Sequence, residues 1–566
     1  MLASTLRATL IAAAIGLALP AIAQAAKPKS LVIALDGARA DALEIASTPN
    51  LQRLIGGTWQ SGYRGAYAYQ GQTIKDADTM SGPNHTSIYT GVTSAKHQVT
   101  VNDGPQMAAV NELDYFSALE LANRGLNTVK LATWSLDAQV PCAADYLKIE
   151  TDAASTDRAV KMLSGTYSDA DWSLGRDVDA MFVFLDDIDH AGHSYGWLSN
   201  NYYGSVQTAD TQIGRMLDAI RARPDFANED WQIIVTSDHG GYGTSHGPRS
   251  AAYFTIPFLV ASRTVSQGVL SGRPHNMDTM ASVLTHFGVD PTQSFPRIDG
   301  SSSYTLDGTA RGASVRPAFA GSLASGLVAN LRFNNTYGDA TGRGNNLAIG
   351  AGSPTFITGK FGSAVQIGAG RKSGKEYLSF GTGKPDLDFG GTGSSASDFT
   401  LTLWYRAAAQ SGDPVIVGNK NWASGANPGL LLTASVASAG GNELGLNLAD
   451  TGARRADAYR IDTRESTTQW WFLAVTVDRS NGLSTLYAGS PGGKLYFIAN
   501  EINALQDLRS VLPLNIGQDG TGAYGYQLKA DLDDLGVWRR ALGKDEIRTL
   551  FNGGVGREVC SVTGDC

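Results

Sequence analysis

The stretch Ala180-Met181-Phe182-Val183-Phe184-Leu185, followed at once by Asp186-Asp187-Ile188-Asp189-His190-Ala191-Gly192-His193, passes in one step from an apolar run to crowded carboxylates and imidazoles. The same arrangement occurs twice more. Leu31–Leu35 (LVIAL) runs into Asp36-Gly37-Ala38-Arg39, and Trp231–Ser237 (WQIIVTS) runs into Asp238-His239-Gly240-Gly241, with His246 shortly beyond. Short apolar runs separated by helix-period stretches predict an α/β domain with a mainly parallel sheet covered by helices. The runs are Ser30–Leu35, Thr128–Trp134, Ala180–Leu185, Trp231–Thr236 and Tyr253–Val260. Thr211–Arg221 has helical period, and Met277–Phe287 reads as a closing helix stopped by Gly288. In such a sheet the three polar clusters share the carboxyl edge, where open α/β sheets bind ligands. Carboxylate and imidazole together suit zinc and related divalent ions. One Asp at a strand end is ordinarily a cap or turn residue. Three clusters carrying four His are more than capping requires.

A fourth segment supplies a hydroxyl. Asp78–Gly91 (DTMSGPNHTSIYTG) predicts a turn opening into a short helix ended by Gly91, with Ser81 as N-cap and Pro83 in the first turn. A helix N-terminus stabilises negative charge, so it suits both an alkoxide and an incoming phosphate. Taken alone, Ser81 would be a plain cap.

Working outward, 566 residues exceed one ordinary core, and two domains are expected. With 45 basic and 53 acidic residues the net charge is −8, which argues against a nucleic-acid scaffold. A hydrophobic content of 42% excludes a disordered chain, and 66 Gly suggest a loop-rich β portion. Arg7 is the only charge before the apolar stretch Ala8–Ile22, and small residues follow through Ala26. This predicts an export signal over residues 1–25, cleaved after Ala23 or Ala25. A soluble periplasmic or secreted protein, with no membrane span after cleavage, follows as an expectation. Cys560 and Cys566 are close enough in sequence to close a small disulfide loop, leaving Cys142 unpaired. Gly300–Ser325 is rich in Gly, Ser and Ala and reads as a linker. Beyond it the pattern turns to period two, clearest in Phe399–Tyr405 and Trp471–Val477, with one helix at Lys544–Phe551 stopped by Asn552-Gly553-Gly554. That half predicts an antiparallel β-sandwich. The expected division is 26–305, a link over 306–325, and 326–566.

These motifs, in this order over roughly residues 28–295, resemble the alkaline phosphatase superfamily, particularly its nucleotide pyrophosphatase/phosphodiesterase branch. Asp36 in LDGARAD matches the first metal aspartate. Ser81 stands two residues before Pro83, where the branch usually has Thr in T-x-P-N-H. Asn102, following His97, matches the phosphoryl-binding Asn. Asp189 and His193 match D-x-x-G-H, Asp238-His239 match S-D-H-G, and His246 matches the last ligand. The resemblance implies a site for two divalent ions, most often zinc. Asp189, His193 and His246 would hold one, and Asp36, Asp238, His239 and the Ser81 oxygen the other. It further implies a metal-activated serine, a covalent phosphoseryl intermediate, and Asn102 with the Gly82 N–H donating to a non-bridging oxygen. The implied activity is hydrolysis of phosphodiesters or pyrophosphate bonds, with phosphomonoesters open because no extra cation is placed; Arg176 and Lys148 merely lie between motifs. Serine in place of threonine loosens the substrate class. Thr79 is the alternative nucleophile, although it misses the position two before proline. A sulfatase would need Arg where His85 stands.

Arg39 is expected to pair with a nearby carboxylate, and Asp187 and His190 to flank the ligands without binding. His85 and His97 are expected to orient the helix and the Asn102 loop, while His275 and His286 receive no role. The second half resembles laminin-G-like, concanavalin A-like jelly rolls. The matching features are Gly359–Val365, DFTLTLWYR, WWFLAVTVDR and Asp531–Trp538 followed by Ala541–Ile547. Such domains bind glycans or proteins and sometimes calcium. The competing reading is therefore a surface adhesion protein, binding glycans or proteins, whose phosphatase-like domain is inactive.

Overall fold

In the computed structural model the described residues are 26–564, apart from 124, 318, 370–374 and 437–440. The predicted export signal and Cys566, with its expected disulfide, lie outside them. No helix among the described residues is long and apolar enough to cross a membrane.

The first unit is built on an eight-stranded sheet: β1 (Lys27–Leu35), β2 (Arg64–Gln72), β3 (Thr128–Ala132), β4 (Tyr146–Ile149), β5 (Ala180–Leu185), β6 (Glu229–Ser237), β7 (Thr255–Ser262) and β8 (Gly268–Val269). Their order across the sheet is β4-β3-β5-β1-β6-β7-β2-β8. The apolar runs form central strands because both faces are covered. Leu31, Ile33 and Leu35 point into one apolar layer, and Val32 and Ala34 into the other. The helix Asn200–Arg221 lies on the first face, burying Tyr202, Val206, Ala209, Ile213, Met216, Leu217 and Ile220 at helical spacing. Its first turn is closed by the Ser199 hydroxyl, which accepts from the Tyr202 N–H. The helix Asp278–His286 lies on the other face.

β1 pairs in parallel with β5 and with β6, in a register that sets Leu35 beside Leu185 and Ser237. The next residue on each strand is Asp36, Asp186 and Asp238, so three carboxylates leave the sheet side by side. The run Tyr253–Val260 departs from the parallel pattern. β7 runs antiparallel to both β6 and β2, and the segment 238–254 that joins it to β6 carries only the four-residue helix Ala251–Phe254, too short to cover the sheet as a crossover helix.

The second unit is a two-layered antiparallel sandwich, as the period-two pattern predicts. One sheet centres on Phe399–Arg406, Trp471–Asp478 and Ala530–Trp538, the other on Gly429–Val436 and Asn442–Ala449. Leu401, Leu403, Leu473 and Val475 meet Leu430, Leu432, Leu446 and Leu448 between them. Residues 305–316 lie along the first unit. Lys96 pairs with Asp307 at 2.6 Å, Arg311 with Asp278 at 2.6 Å, and the Arg316 N–H donates to Val269.

The edge strand Leu495–Glu501 of the sandwich faces the first unit, where side chains take its open backbone groups. Asp41 accepts from the Phe497 N–H at 3.2 Å. The Thr255 hydroxyl lies 3.1 Å from both the N and the O of Ala499, and Arg273 donates to the same carbonyl at 3.1 Å.

Candidate active site

The ends of β1, β5 and β6 position the predicted residues. Gly37 turns the chain after Asp36 with φ +69°, and its N–H donates to Asp238 Oδ1 at 3.2 Å. A Cβ there would stand 2.8 Å from Asp189 Oδ1, so only glycine lets the two loops close. After β5 the helix Asp187–Tyr195 begins, its leading N–H groups accepted by the buried Asp152 at 2.9 and 3.1 Å. Asp189 and His193, four apart, share a helix face, with Nε2 to Oδ2 at 3.3 Å.

The three histidines have a common orientation. His193 Nδ1 bonds the Thr244 carbonyl at 3.0 Å, His239 Nδ1 that of Gly240 at 3.0 Å, and His246 Nδ1 that of Thr79 at 2.7 Å. A carbonyl only accepts, so each Nδ1 carries the proton and each Nε2 is left for the site. His239 Nε2 lies 3.3 Å from Asp36 Oδ1, 3.2 Å from Asp238 Oδ2 and 3.3 Å from Ser81 Oγ. His246 stacks on His239 with ring centroids 3.7 Å apart, its Nε2 3.9 Å from Asp189 Oδ1. Trp197, buried and bonded to the Gly37 carbonyl, packs its ring edge to face against His193.

Ser81 differs from expectation. Met80 is the N-cap and Ser81 the first helical residue, because its hydroxyl turns toward His239 instead of back onto the helix. Asn102 does the capping: its Oδ1 accepts from the Gly82 N–H at 2.7 Å. That N–H is therefore engaged, and of the pair expected to meet a phosphate oxygen only the Asn102 Nδ2 remains available. Thr79 is tied to the Gly247 carbonyl by both its N–H (2.7 Å) and its hydroxyl (2.6 Å), so it clamps the His246 loop.

The charge balance is unusual. Asp36 Oδ1 and Asp189 Oδ1 are buried without a hydrogen-bond donor, while Asp238 Oδ2 has only His85 Nε2 to donate to it, at 3.1 Å. Burial, then the charges of Asp238 and Asp189, push the Asp36 carboxyl well above the usual range. Burial would also raise Asp238, but His239 and His85 hold it low. For His246, burial and the neighbouring His239 bring the imidazole down to about 4. Buried acids in a group, beside imidazoles presenting free Nε2 atoms, fit divalent cations by donor type and by charge. Ligand atoms of Asp189, His239 and His246 converge within 4.8 Å, as do those of Asp36, Asp238 and His239, and those of Asp36, Asp186 and Asp189.

His85 reaches this cluster more directly than its sequence position suggested. Its Nε2 is 3.1 Å from Asp238 Oδ2 and its Nδ1 2.9 Å from the buried Asp137. Burial opposes its charge, but Asp137 and Asp238 raise it to about 10. His97 accepts the Val99 N–H on Nδ1 and contacts the Ser87 hydroxyl through Nε2 at 2.9 Å, which fixes the loop ahead of Asn102. Arg39 pairs with Asp41 at 2.8 and 2.6 Å and reaches the Gly241 carbonyl. His190 is exposed, 3.4 Å from Asp186, and His286 bonds the distant Asp230 carbonyl. Asp186 is the residue that sequence reasoning passed over. Its signal was its place as the first residue after a strand, matching Asp36 and Asp238.

A serine at a helix start thus faces carboxylates and imidazoles gathered from three parallel strand ends. Residues 30–255 match the family model of type I phosphodiesterase / nucleotide pyrophosphatase, and residues 380–548 that of the concanavalin A-like lectin/glucanases superfamily. The chain thus joins a nucleotide pyrophosphatase/phosphodiesterase-like domain to a laminin-G-like one. It is 23% identical over 229 residues to ectonucleotide pyrophosphatase/phosphodiesterase family member 7 of Mus musculus, covering 38% of this chain and 49% of the relative. GPI ethanolamine phosphate transferase 1 of Saccharomyces cerevisiae is 37% identical over 82 residues, 14% of this chain and 9% of the relative. The chain spans about half or less of the length of these curated relatives. Among solved structures, inactive murine ectonucleotide pyrophosphatase/phosphodiesterase 5 in complex with AMP aligns at 14% identity. The alignment covers 46% of this chain and 96% of that one, with a TM-score of 0.37.

Proposed function

We propose that the protein is an exported metal-dependent phosphoric ester hydrolase, acting on phosphodiesters or pyrophosphate bonds. The observation that carries this reading is the set of three histidines, each fixed through Nδ1 on a backbone carbonyl, with Nε2 turned toward the buried carboxylates of Asp36, Asp189 and Asp238. The family match over residues 30–255 supports it independently. Residues 26–305 form the catalytic unit, 306–325 the link and 326–566 the jelly roll, behind a signal over 1–25.

In this reading Asp189, His193 and His246 hold one cation, and Asp36, Asp238, His239 and Ser81 hold a second. Two divalent ions, zinc by donor type, would supply Lewis-acid charge that favours the Ser81 alkoxide and screens the phosphate. Ser81 Oγ, near the positive end of the helix, attacks phosphorus. The Ser81 O–P bond forms as the bond to the leaving oxygen breaks, and water later hydrolyses the phosphoserine. Asn102, oriented by its bond to Gly82, donates Nδ2–H to a non-bridging oxygen where charge must be held.

The test compares chromogenic phosphate diester, phosphate monoester and sulfate ester substrates before and after chelation, with zinc restored. Phosphate-ester turnover that chelation abolishes and zinc restores is expected. Metal-independent turnover, or none on any phosphate ester, would overturn the proposal.

A further inference from the structure

The loop from Asp238 to Phe254 carries two of the three histidines on a sequence poorly suited to hold them. Gly240-Gly241-Tyr242-Gly243-Thr244-Ser245-His246-Gly247 has four glycines in eight residues, two of them at positive φ (Gly243 +62°, Gly247 +136°). Such a chain is permissive, and fixing it requires external anchors. Several come from the first unit. Trp197 N–H and Arg39 Nη1 bond the Gly243 and Gly241 carbonyls, and Thr79 holds Gly247.

The loop's only large side chain before His246 goes elsewhere. Tyr242 is 6% exposed and packs, with Ala251, Ala252, Tyr253 and Phe254, into the apolar cluster that forms the sandwich core. Its hydroxyl donates to Asp462 Oδ2 at 2.5 Å, across 220 positions of sequence. Asp462 is buried at the end of the sandwich strand Arg455–Asp462 and is gripped by the Arg464 guanidinium. A neighbouring link joins the sandwich to the other metal loop, where Asp41, which clamps Arg39, accepts the Phe497 N–H.

We propose that the sandwich is a working part of the metal site, with Asp462 acting through Tyr242 as a positioning residue for the loop that presents His239 and His246. Neither residue is a ligand. The Tyr242–Asp462 contact restricts the conformations the glycine-rich loop samples, so the two imidazoles are already in place before a cation arrives. Burial and the Asp462 charge both keep the phenol protonated, which maintains it as a donor. The inference rests on the proposed metal site and adds a second-domain residue to what governs its affinity.

The test uses the full chain, with zinc affinity measured by competition against a chromophoric chelator, alongside kcat, KM and thermal melting. Tyr242→Phe keeps the ring packing and removes only the hydroxyl. A fall in zinc affinity of about tenfold is expected, with kcat falling at unchanged KM. Asp462→Ala should do the same, and Asp462→Asn, which retains an acceptor oxygen, should recover most of the loss. Lys544→Ala removes an interface ion pair with Glu44 away from the loop, and should lower the melting temperature without changing zinc affinity. If Asp462→Ala fails to fold, Tyr242→Phe decides alone. Wild-type zinc affinity and kcat in Tyr242→Phe, or an equal loss in Lys544→Ala, would overturn the inference while leaving the hydrolase reading intact. A wild-type chain that binds no zinc would remove both.

Discussion

Two clusters of buried aspartates sit in this chain, and they are built on opposite principles. In the sandwich, Asp533 accepts from the N–H groups of Asp534 (2.8 Å) and Phe361 (2.9 Å). Asp534 accepts from Asn330 Nδ2 (3.0 Å) and the Val559 N–H (2.8 Å). Every carboxylate oxygen has a donor, and the pair ties the strand Ala530–Trp538 to Asn330 on the neighbouring strand and to the backbone at Phe361 and Val559. At the edge of the parallel sheet, Asp36 and Asp189 each keep one buried oxygen with no donor. Burying a carboxylate oxygen without a partner costs several kcal/mol in general, so that arrangement persists only where something else supplies positive charge. The first cluster is satisfied within the protein, and the second has the character that the proposed cation site requires.

The comparison can be broken experimentally. The largest effect should be on turnover. Ser81→Ala removes nucleophile and ligand together, and a loss of about 10⁴-fold or more is expected in steady-state phosphodiester hydrolysis; near-normal rates would reassign the nucleophile. Next is Asn102→Ala, which removes one donor to the phosphoryl oxygen and is expected to cost about 10²-fold in kcat. Metal removal follows. Zinc at about 100 times its dissociation constant should stabilise the chelated protein by about 2.7 kcal/mol in a melt, whereas Asp36→Asn should shrink that gain. Asp534→Ala should leave zinc binding unchanged and destabilise the fold by about 1–3 kcal/mol in denaturant unfolding, because two donors lose their acceptor.

A last effect concerns pH. Burial, helped by the Asp534 charge and opposed by the Phe361 N–H, pushes Asp533 up to about 8. Below about pH 4 this group is protonated in both folded and unfolded chains and costs nothing. As pH rises toward 8 the unfolded chain ionises first, so stability drains away across that window. Melting temperature against pH should fall over this range in wild type, and Asp533→Asn should flatten the slope.

Much of this was legible in the sequence, for identifiable reasons. Apolar runs followed by Asp mark central strands and their carboxyl ends, so the clusters around Asp36, Asp189, His193, Asp238, His239 and His246 stand out in the sequence, and the family resemblance is what implies their role as ligands. Gly91 stops its helix where expected, with φ +67°. What escaped depends on distant partners. Nothing local distinguishes Ser81 from an N-cap, because the residue that caps that helix, Asn102, lies in another loop. Asp137 became important only once His85 was placed between it and Asp238. The antiparallel turn of β7 could not be read from an apolar run that looks the same in either direction. Tyr242 reads as a loop residue until the sandwich is present to receive it.

The strand Leu495–Glu501 shows what the junction prevents. An exposed sheet margin is a template for recruiting further chains into fibres, and here Asp41, Thr255 and Arg273 fill the positions a visiting strand would need. Cleaving the protein between its halves would uncover that margin on one fragment and strand the aromatic pair Tyr253 and Phe254 on the other. The halves are therefore expected to be produced, inherited and degraded as one object.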